Sequence, residues 1–533
     1  MASKGSDAYL YDMLDMSESS NLEKQQSEIA KFFAYTNILV TGGTGFLGKL
    51  LIEKILRSCP DVATVYMIVR PKKGKNSQER FKENFNGIEF SRLRREQPNF
   101  VNKVIMLEGD AAQQDFGLSP ESKKILMNTN IIFHAAATVR FDEIFRTAIN
   151  TNVKNTKYML LFAKELPYLM AFVHVSTAFS HCMLKSIDEI HYKVPIDGDK
   201  ILTLLDVLDD DKLEKITPVI IDKWPNTYVF SKALGESIVL KYSNNLPVCI
   251  VRPSIMISTS EEPLSGWTNN LYGATGVVMG SSVGLLHTLH CVEEHVAEII
   301  PADYIISNVI CAAWDIANRK SSIKSNDSNI SDEERIPIYN SVSSCQNPIS
   351  WKEFMKWNEK YGFTVPSVNM VWYYMLIVTR YFIVYQLCSF FFHIVPAAIA
   401  DMLAYLVGRK PQLLNVYKKI HKFSNVIHYF STREWHFRNE NVVKLWEKLN
   451  SVDQQTFKFN VACVTWHDYL YYHMRGIRLY MLNDPFETLD EAFKKIIKLF
   501  IAHYTLIMLV SLLLLWTFVR FITFAWSFCP LAH

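Results

Sequence analysis

Along the first 255 residues, short apolar runs of strand length alternate with longer stretches whose apolar residues recur every three or four positions. Ile38-Leu39-Val40 is the first such run, and Lys49 to Leu56 carries the first helical pattern. Further strands are predicted at Thr64–Val69, Val104–Leu107, Ile131–Phe133, Ala171–Val175 and Pro247–Val251. Strands alternating with helices predict an α/β fold, a Rossmann-type doubly wound parallel sheet whose ligand site lies at the carboxyl ends of the strands. Residues 32–345 are assigned to this unit. Near its end the polar stretch Ser321 to Arg335 (SSIKSNDSNISDEER) predicts a surface loop. Helical patterns dominate afterwards, so residues 346–490 are read as a mainly helical C-terminal domain starting close to Pro348.

Two stretches of the second half are apolar enough to change that picture. Residues 370–408 are very apolar, interrupted by Arg380, Pro396 and Asp401. Tyr381 to Ala400 has the length of a membrane span but contains Gln386, His393 and the helix breaker Pro396, which favours a surface dipping into lipid or lining an apolar tunnel. Leu499 to Val519 contains no Asp, Glu, Lys or Arg and meets the requirement of roughly 20 residues for a spanning helix. Residues 499–528 are therefore read as a transmembrane anchor. Arg520, followed by the apolar Phe521 to Phe528, leaves a hairpin as the alternative. Lys494, Lys495 and Lys498 precede the span and place the preceding chain in the cytosol by the positive-inside rule.

Composition adds mostly exclusions. The net charge of +3 over 533 residues gives no reason to expect a nucleic-acid partner. Nine cysteines, scattered and never in a CxxC pair, suggest reduced thiols, and the fifteen histidines show no HExxH spacing, so no metal is expected. Residues 1–31 are read as a flexible tail, since the first 30 carry six acids, two bases and no apolar core of a signal peptide. Residues 408–450 are basic, with nine Lys/Arg against three acids, and would sit against anionic headgroups.

Candidate chemistry begins where the first strand ends. Thr41-Gly42-Gly43-Thr44-Gly45-Phe46-Leu47-Gly48 joins strand to helix with glycine at every third position. Gly42 makes the tight turn, Gly45 admits a pyrophosphate, Gly48 lets helix and strand pack, and the helix N-terminus offers free N–H groups to phosphate. The second strand ends in Arg70-Pro71-Lys72-Lys73, with no acid for the ribose 2′-OH of NAD, so Arg70 and Lys73 favour the 2′-phosphate of NADP(H). Asp110, after the third strand, is placed to meet adenine. Ala135 and Ala136, after the fourth, would let a ligand lie against the backbone, and Pro253 and Ser254 close the site after the sixth.

The second signal is Tyr228-Val229-Phe230-Ser231-Lys232, the only tyrosine of 25 with lysine at i+4. On one helix face, the ammonium can lower the phenol pKa and hold the nicotinamide ribose while the phenol passes a proton to a carbonyl oxygen. Thr177, or less favourably Ser176, would donate to the same oxygen. Asn152 would hold a helix kink or a proton-relay water. Residues 183–222, including the acidic Asp206 to Asp211, are read as an insertion, either covering the cleft or forming a passive surface loop.

These residues amount to a resemblance. The glycine turn with the single Tyr-x-x-x-Lys resembles the extended short-chain dehydrogenase/reductases. More narrowly, Tyr66 to Gly74 (YMIVRPKKG), Ile132 to Glu143 (IFHAAATVRFDE), Val173 to Phe179 (VHVSTAF), Pro225 to Glu236 (PNTYVFSKALGE) and Pro263 to Gly276 (PLSGWTNNLYGATG) resemble the eukaryotic fatty acyl-CoA reductases. So do Gly408 to Pro411, Glu434 to Phe437 and Trp466 to Tyr480. One departure is Asn155, where many extended reductases have glycine, a position not expected to matter for chemistry. The resemblance implies NADPH-dependent reduction of a long-chain acyl-CoA to a primary alcohol through an aldehyde, with Thr177, Tyr228 and Lys232 as the catalytic group. It implies long-chain acyl-CoA and membrane lipid as partners; a homo-oligomer is compatible with the sequence, which leaves oligomeric state open. The endoplasmic reticulum is the expected membrane, with the peroxisomal membrane as the alternative. A sterol dehydrogenase or sugar epimerase of the same superfamily would be expected to carry an acid near position 70. A catalytically inactive NADPH-binding scaffold would be expected to lose the tyrosine or the lysine.

Overall fold

Seven strands pair in one parallel sheet: β1 (Asn37–Thr41), β2 (Thr64–Val69), β3 (Val104–Glu108), β4 (Ile131–His134), β5 (Ala171–Val175), β6 (Val248–Pro253) and β7 (Ile338–Ser341). A computed structural model describes residues 26–71, 74–110, 113–322 and 335–527 of the chain. The strand order is 3-2-1-4-5-6-7, with Ile38 opposite both Val65 and Ile131. The predicted strands are all present. β7 was not anticipated, because Ile338-Tyr339-Asn340-Ser341 is half polar; all four side chains are nevertheless buried. Among the helices, α1 (Phe46–Ser58) and α4 (Ala302–Ser322) pack on one face of the sheet. α2 (Asn155–Glu165), entered through a π-helical turn at Asn150–Lys154, and α3 (Thr227–Tyr242) pack on the other. Strands buried on both sides read as nearly continuous apolar runs, as β1 and β5 do.

The predicted tail ends sooner than expected. Residues 1–25 lie outside the described ones, but Ser27 donates to Asp453 and caps a short helix, Glu28–Phe33, whose Ile29 and Phe33 are fully buried. The loop predicted over 321–335 lies largely outside the described residues. The insertion at 183–222 folds into two helices, Gly198–Val207 and Asp210–Ile221. They pack on α3 and on the segment before α2, where Glu214 accepts from the Phe145 N–H at 2.9 Å, and none of their residues lines the central cavity. The insertion therefore buttresses the helix carrying Tyr228 and does not cover the cleft.

The second half is mainly helical. α5 (Trp351–Gly362) opens on a capping box between Ser350 and Glu353 and packs against α8 (Trp466–Gly476). Between them lie α6 (Phe382–Leu406, with a π-turn at Phe390–Ile394) and α7 (Leu413–Ser431). Two short strands pair backward into the first half, Ile377–Thr379 with Thr288–His290 and His436–Phe437 with Ser186–Ile187. The last helix, α9, runs from Leu489 to Ser527. Its root is docked: Ala492 is fully buried, Lys495 donates to the Val368 carbonyl at 2.6 Å, and Trp372 Nε1 donates to His503 Nδ1 at 3.0 Å. Beyond Tyr504 its large apolar side chains are exposed. The hairpin alternative is not what forms: with no Gly or Pro to break it, the helix continues through Arg520, whose guanidinium lies 5.5 Å from the Trp516 ring. α6 and α9 are both long and apolar enough to cross a membrane.

Candidate active site

The strand ends converge on a cavity of about 550 Å³. One end is the turn between β1 and α1. Gly42 sits at φ +74°, and a Cβ there would meet the Ala136 nitrogen at 2.9 Å and the Ala135 oxygen at 3.0 Å. A Cβ on Gly48 would lie 2.3 Å from the Gly42 oxygen. Gly45 caps α1 with no side-chain hydrogen bond, leaving the first-turn N–H groups for an anion. The backbone of the turn is thus brought as close to the cavity as glycine alone permits, and a dinucleotide pyrophosphate fits that cradle.

Gly42, Thr44, Gly45, Phe46, Leu47 and Gly48 line the cavity, as do Arg70, Asp110, Ala135, Ala136, Pro253 and Ser254. Thr41 and Gly43 do not. Thr41 is fully buried, its Oγ1 accepting from the N–H groups of Ala135 and Ala136 at 3.1 Å each, so it ties the tip of β1 to that of β4. Gly43 backs onto Met67 and Ile52. Lys73 lies outside the described residues. Arg70 Nη1 is 3.2 Å from Asp110 Oδ2, so base and acid at the two adjacent strand tips face each other. Sequence reasoning missed Arg80, which also lines the cavity, donates to Thr44 Oγ1 at 3.1 Å and holds the Arg70 carbonyl. It sits on a charged helix, Ser77–Asn86, and no local pattern distinguishes it from its neighbours.

At the centre, Tyr228 and Lys232 project from one face of α3. Tyr228 stacks on Phe141 with centroids 5.4 Å apart, and Tyr228 and Thr177 both line the cavity, the Thr177 hydroxyl donating to the Pro253 carbonyl at 3.5 Å and accepting from the Phe179 N–H at 3.3 Å. Protein surrounds the phenol wherever the cavity does not, and this burial pushes its pKa up to about 12, with the Thr177 hydroxyl opposing the shift. The expected lowering by the lysine is therefore not what this structure shows: the phenol stays protonated at neutral pH, as a proton donor must. Lys232 donates to the Val175 carbonyl at 2.7 Å. Burial lowers its pKa to about 8, with the Glu236 carboxylate, one turn along α3, opposing the shift. Beside it, His134 and His174 are held neutral, first by burial and then by the lysine charge.

Ser176 lines the cavity beside Thr177 but its hydroxyl is engaged elsewhere, and Asn152 takes another role. The Ser176 hydroxyl donates to Glu236, whose carboxylate also accepts from Ser180 at 3.1 Å and from Arg252 Nη2 at 2.7 Å. Burial opposes ionisation of Glu236, but Arg252 and His181 override it. With Ser176 drawn into this buried ion pair, Thr177 is left as the hydroxyl beside Tyr228. Asn152 is absent from the cavity wall. Its amide bonds the Thr138 N–H at 3.0 Å, the Thr138 carbonyl at 3.2 Å and Ser231 Oγ at 2.9 Å, so it pins the loop after β4 to α3. It does sit in the helix irregularity expected of it, the π-turn before α2. Asn155, set aside in the sequence, is fully buried and lines the cavity with Thr151.

Beyond Tyr228 the wall turns apolar and comes from the second half. Trp351, Phe354 and Met355 of α5 and Ile427 and Phe430 of α7 meet Leu289 and Cys291 there. Asn270, Tyr272 and Gly273 of a loop after β6, and Ala274 at the start of the helix Ala274–Ser282, also line the cavity. Among the described residues no group of three or more His, Cys, Asp or Glu is placed to hold a metal.

Comparison with known proteins agrees with this arrangement. Two family models, both described as male sterility protein, match residues 40–309 and 392–484; the first is an NAD-binding model. Fatty acyl-CoA reductase wat of Drosophila melanogaster is 36% identical over 494 residues, 92% of this chain and 93% of the relative. Human fatty acyl-CoA reductase 1 is 35% identical over 88% of this chain and 89% of its own. In fold, the chain is similar to the reductase domain of a nonribosomal peptide synthetase from Mycobacterium tuberculosis, with a TM-score of 0.53 and 16% identity over 84% of this chain and 92% of that one. The terminal R domain of the myxalamid pathway gives 0.52 at 17% identity, over 84% and 91%. With a doubly wound nicotinamide-dinucleotide fold, a Tyr-Lys pair in its cleft and relatives alike over nearly their whole length, the chain belongs to the fatty acyl-CoA reductases, an oxidoreductase family.

Proposed function

We propose that this protein reduces a long-chain acyl-CoA thioester to the primary fatty alcohol in two reductive steps at one site, with NADPH as the reductant and free CoA released after the first. The observation that supports this reading is a single cavity whose wall includes the glycine turn, Tyr228, Thr177 and Lys232 together with apolar side chains of α5 and α7. NADPH, when bound, supplies hydride. Gly42, Gly45 and Gly48 would hold its pyrophosphate, Arg70 and Arg80 its 2′-phosphate, and Lys232 its nicotinamide ribose.

The chain's own residues manage charge and proton. The thioester oxygen lies against Tyr228 and Thr177, so negative charge developing on it meets two hydroxyls already fixed in place. The resulting tetrahedral species expels the CoA thiolate and becomes an aldehyde. At the second reduction Tyr228 gives its proton to the alkoxide, and the Lys232 ammonium stabilises the phenolate left behind. The apolar passage excludes water and holds the aldehyde until that step.

The deciding assay uses purified full-length protein in detergent with NADPH and a series of acyl-CoAs. Alcohol as product with two NADPH oxidised per thioester is expected; aldehyde as the sole end product would make it a one-step reductase.

Three substitutions follow from the geometry. Thr177→Val removes the hydroxyl paired with Tyr228 and is expected to lower kcat about a hundredfold. Ser176→Ala removes only one of several partners of Glu236, costs about 1 kcal/mol of stability and leaves kcat nearly unchanged. Equal losses in the two variants would show that Ser176 also reaches the substrate. At the other end, Arg70→Asp is expected to reduce the NADPH/NADH ratio of kcat/KM by about ten- to a hundredfold, the worth of one or two charge-assisted hydrogen bonds. An unchanged ratio would mean that the phosphate is read elsewhere, by Arg80 or Lys73.

A further inference from the structure

α6 admits two arrangements at a membrane, crossing it or lying against it, and both of its ends return to the same strand. Just before the helix, Ile377–Thr379 pairs with Thr288–His290 and Arg380 Nη2 meets Glu294 Oε2 at 2.8 Å. In its last turns, Asp401 accepts from the backbone N–H groups of Gln412, Leu413 and Leu414 at 2.9, 2.9 and 3.0 Å, capping the start of α7. α7 then runs back along α6 until Ser431 Oγ donates to the His290 carbonyl at 2.8 Å. A spanning helix would put about 30 Å of hydrocarbon between its ends. α7 cannot supply the return path through lipid, because it carries exposed Lys418, Lys419 and Lys422.

The two faces of α6 also differ. Tyr385, Ser389, His393, Ala397 and Asp401, four apart, are buried against the protein. Ile383, Leu387, Phe391, Met402, Leu403 and Leu406 are each at least half exposed. Asp401, turned toward α7, is the sole charge between Tyr381 and Val407. Exposed Arg409, Lys410, Lys418 and Lys419 follow at one end. α9 is rooted near the start of α6, since Trp372 and Tyr373, which contact His503, Phe500 and Tyr504, lead directly into Ile377–Thr379.

We propose that α6 lies in the plane of one leaflet as a second membrane contact beside α9, with Arg409, Lys410, Lys418 and Lys419 set on anionic lipid headgroups. An apolar helix face bordered by bases is what an anionic leaflet accommodates without carrying charge into hydrocarbon. The placement also has a use. α6 packs on Thr288–His290 and α7, whose Leu289, Ile427 and Phe430 line the cavity, so lipid lies one layer from the reaction site.

This inference rests on α9 holding the chain at a bilayer and is read without any reductase assay, so its failure leaves the proposed reaction standing. Full-length protein in sealed microsomes is treated with a membrane-impermeant amine reagent and its lysines are followed by mass spectrometry. Lys352 and Lys410 are expected to react from the same side; protection of one until the vesicles are opened would mean that α6 crosses. In a second arm, Phe391→p-benzoylphenylalanine in phosphatidylcholine vesicles containing phosphatidylserine is expected to crosslink lipid, and the same change at Val219 is not. Phosphatidylserine should be enriched among the adducts about twofold over its bulk share, falling to that share when the four bases become glutamine. No lipid adduct at Phe391 would overturn the in-plane contact, and an unchanged enrichment in the glutamine variant would overturn the headgroup site.

Discussion

Tyr228→Phe is expected to lower kcat for acyl-CoA reduction about a thousandfold or more while leaving NADPH affinity within about twofold, in the range set by loss of a positioned acid. The phenylalanine ring keeps the stack on Phe141, so the passage stays filled and dry. What disappears is the hydroxyl that shares the thioester oxygen with Thr177 and later gives up a proton. Burial holds that proton on the phenol up to about pH 12, so throughout the neutral range the wild-type group is in its donating form. Lys232 sets the limit instead. Its pKa near 8 means that the ammonium, which stabilises the spent phenolate, is lost as pH rises through that value. Alcohol formation and fluorescence titration of NADPH on the same preparation separate the two effects. A variant that keeps normal turnover would remove Tyr228 from its role.

Gly48→Ala is expected to weaken NADPH binding at least about thirtyfold and to destabilise the fold by about 1–3 kcal/mol, the usual cost of overpacking. The added methyl would meet the Gly42 oxygen at 2.3 Å and the Gly43 Cα at 2.7 Å. Both are backbone atoms, so no side chain can rotate aside and the turn itself must open. The cradle for the pyrophosphate opens with it. Gly408→Ala is the control. Gly408 sits at φ +73° with nothing within 4 Å of the site of its Cβ, so only local backbone strain of about 1 kcal/mol is expected and NADPH binding is untouched. Equal binding losses in the two variants would mean that the effect at Gly48 is general destabilisation.

What the sequence made legible was what local pattern encodes. The glycine turn, six of the seven strands and the Tyr-Lys pair are contiguous, and the structure places them where a doubly wound sheet requires. Errors gathered where a residue's role is set by a partner far along the chain. Ser176 and Thr177 are adjacent strand-end hydroxyls, and the preference for Thr177 gains its physical reason only from Glu236, 60 residues on, which takes the Ser176 hydroxyl. Asn152 sits in the helix irregularity expected of it, but Thr138 and Ser231 fill the amide that would otherwise hold a relay water. The lysine was expected to acidify the phenol, but enclosure by the folded chain outweighs it. The apolar wall beyond Tyr228 comes from helices more than 120 residues downstream, and nothing in α5 or α7 alone tells a cavity-facing Phe354 or Phe430 from an ordinary core residue.

The backward pairing of Ile377–Thr379 and His436–Phe437 bears on how this enzyme can be re-engineered. Each takes its ladder partner from the first half, at Thr288–His290 and Ser186–Ile187. The carboxyl-terminal portion is therefore sewn into the reductase unit, and a cut near Pro348 would divide two ribbons. Chimeras that trade tail portions between relatives to alter substrate choice should carry both matching seams across, or they will test misfolding in place of specificity.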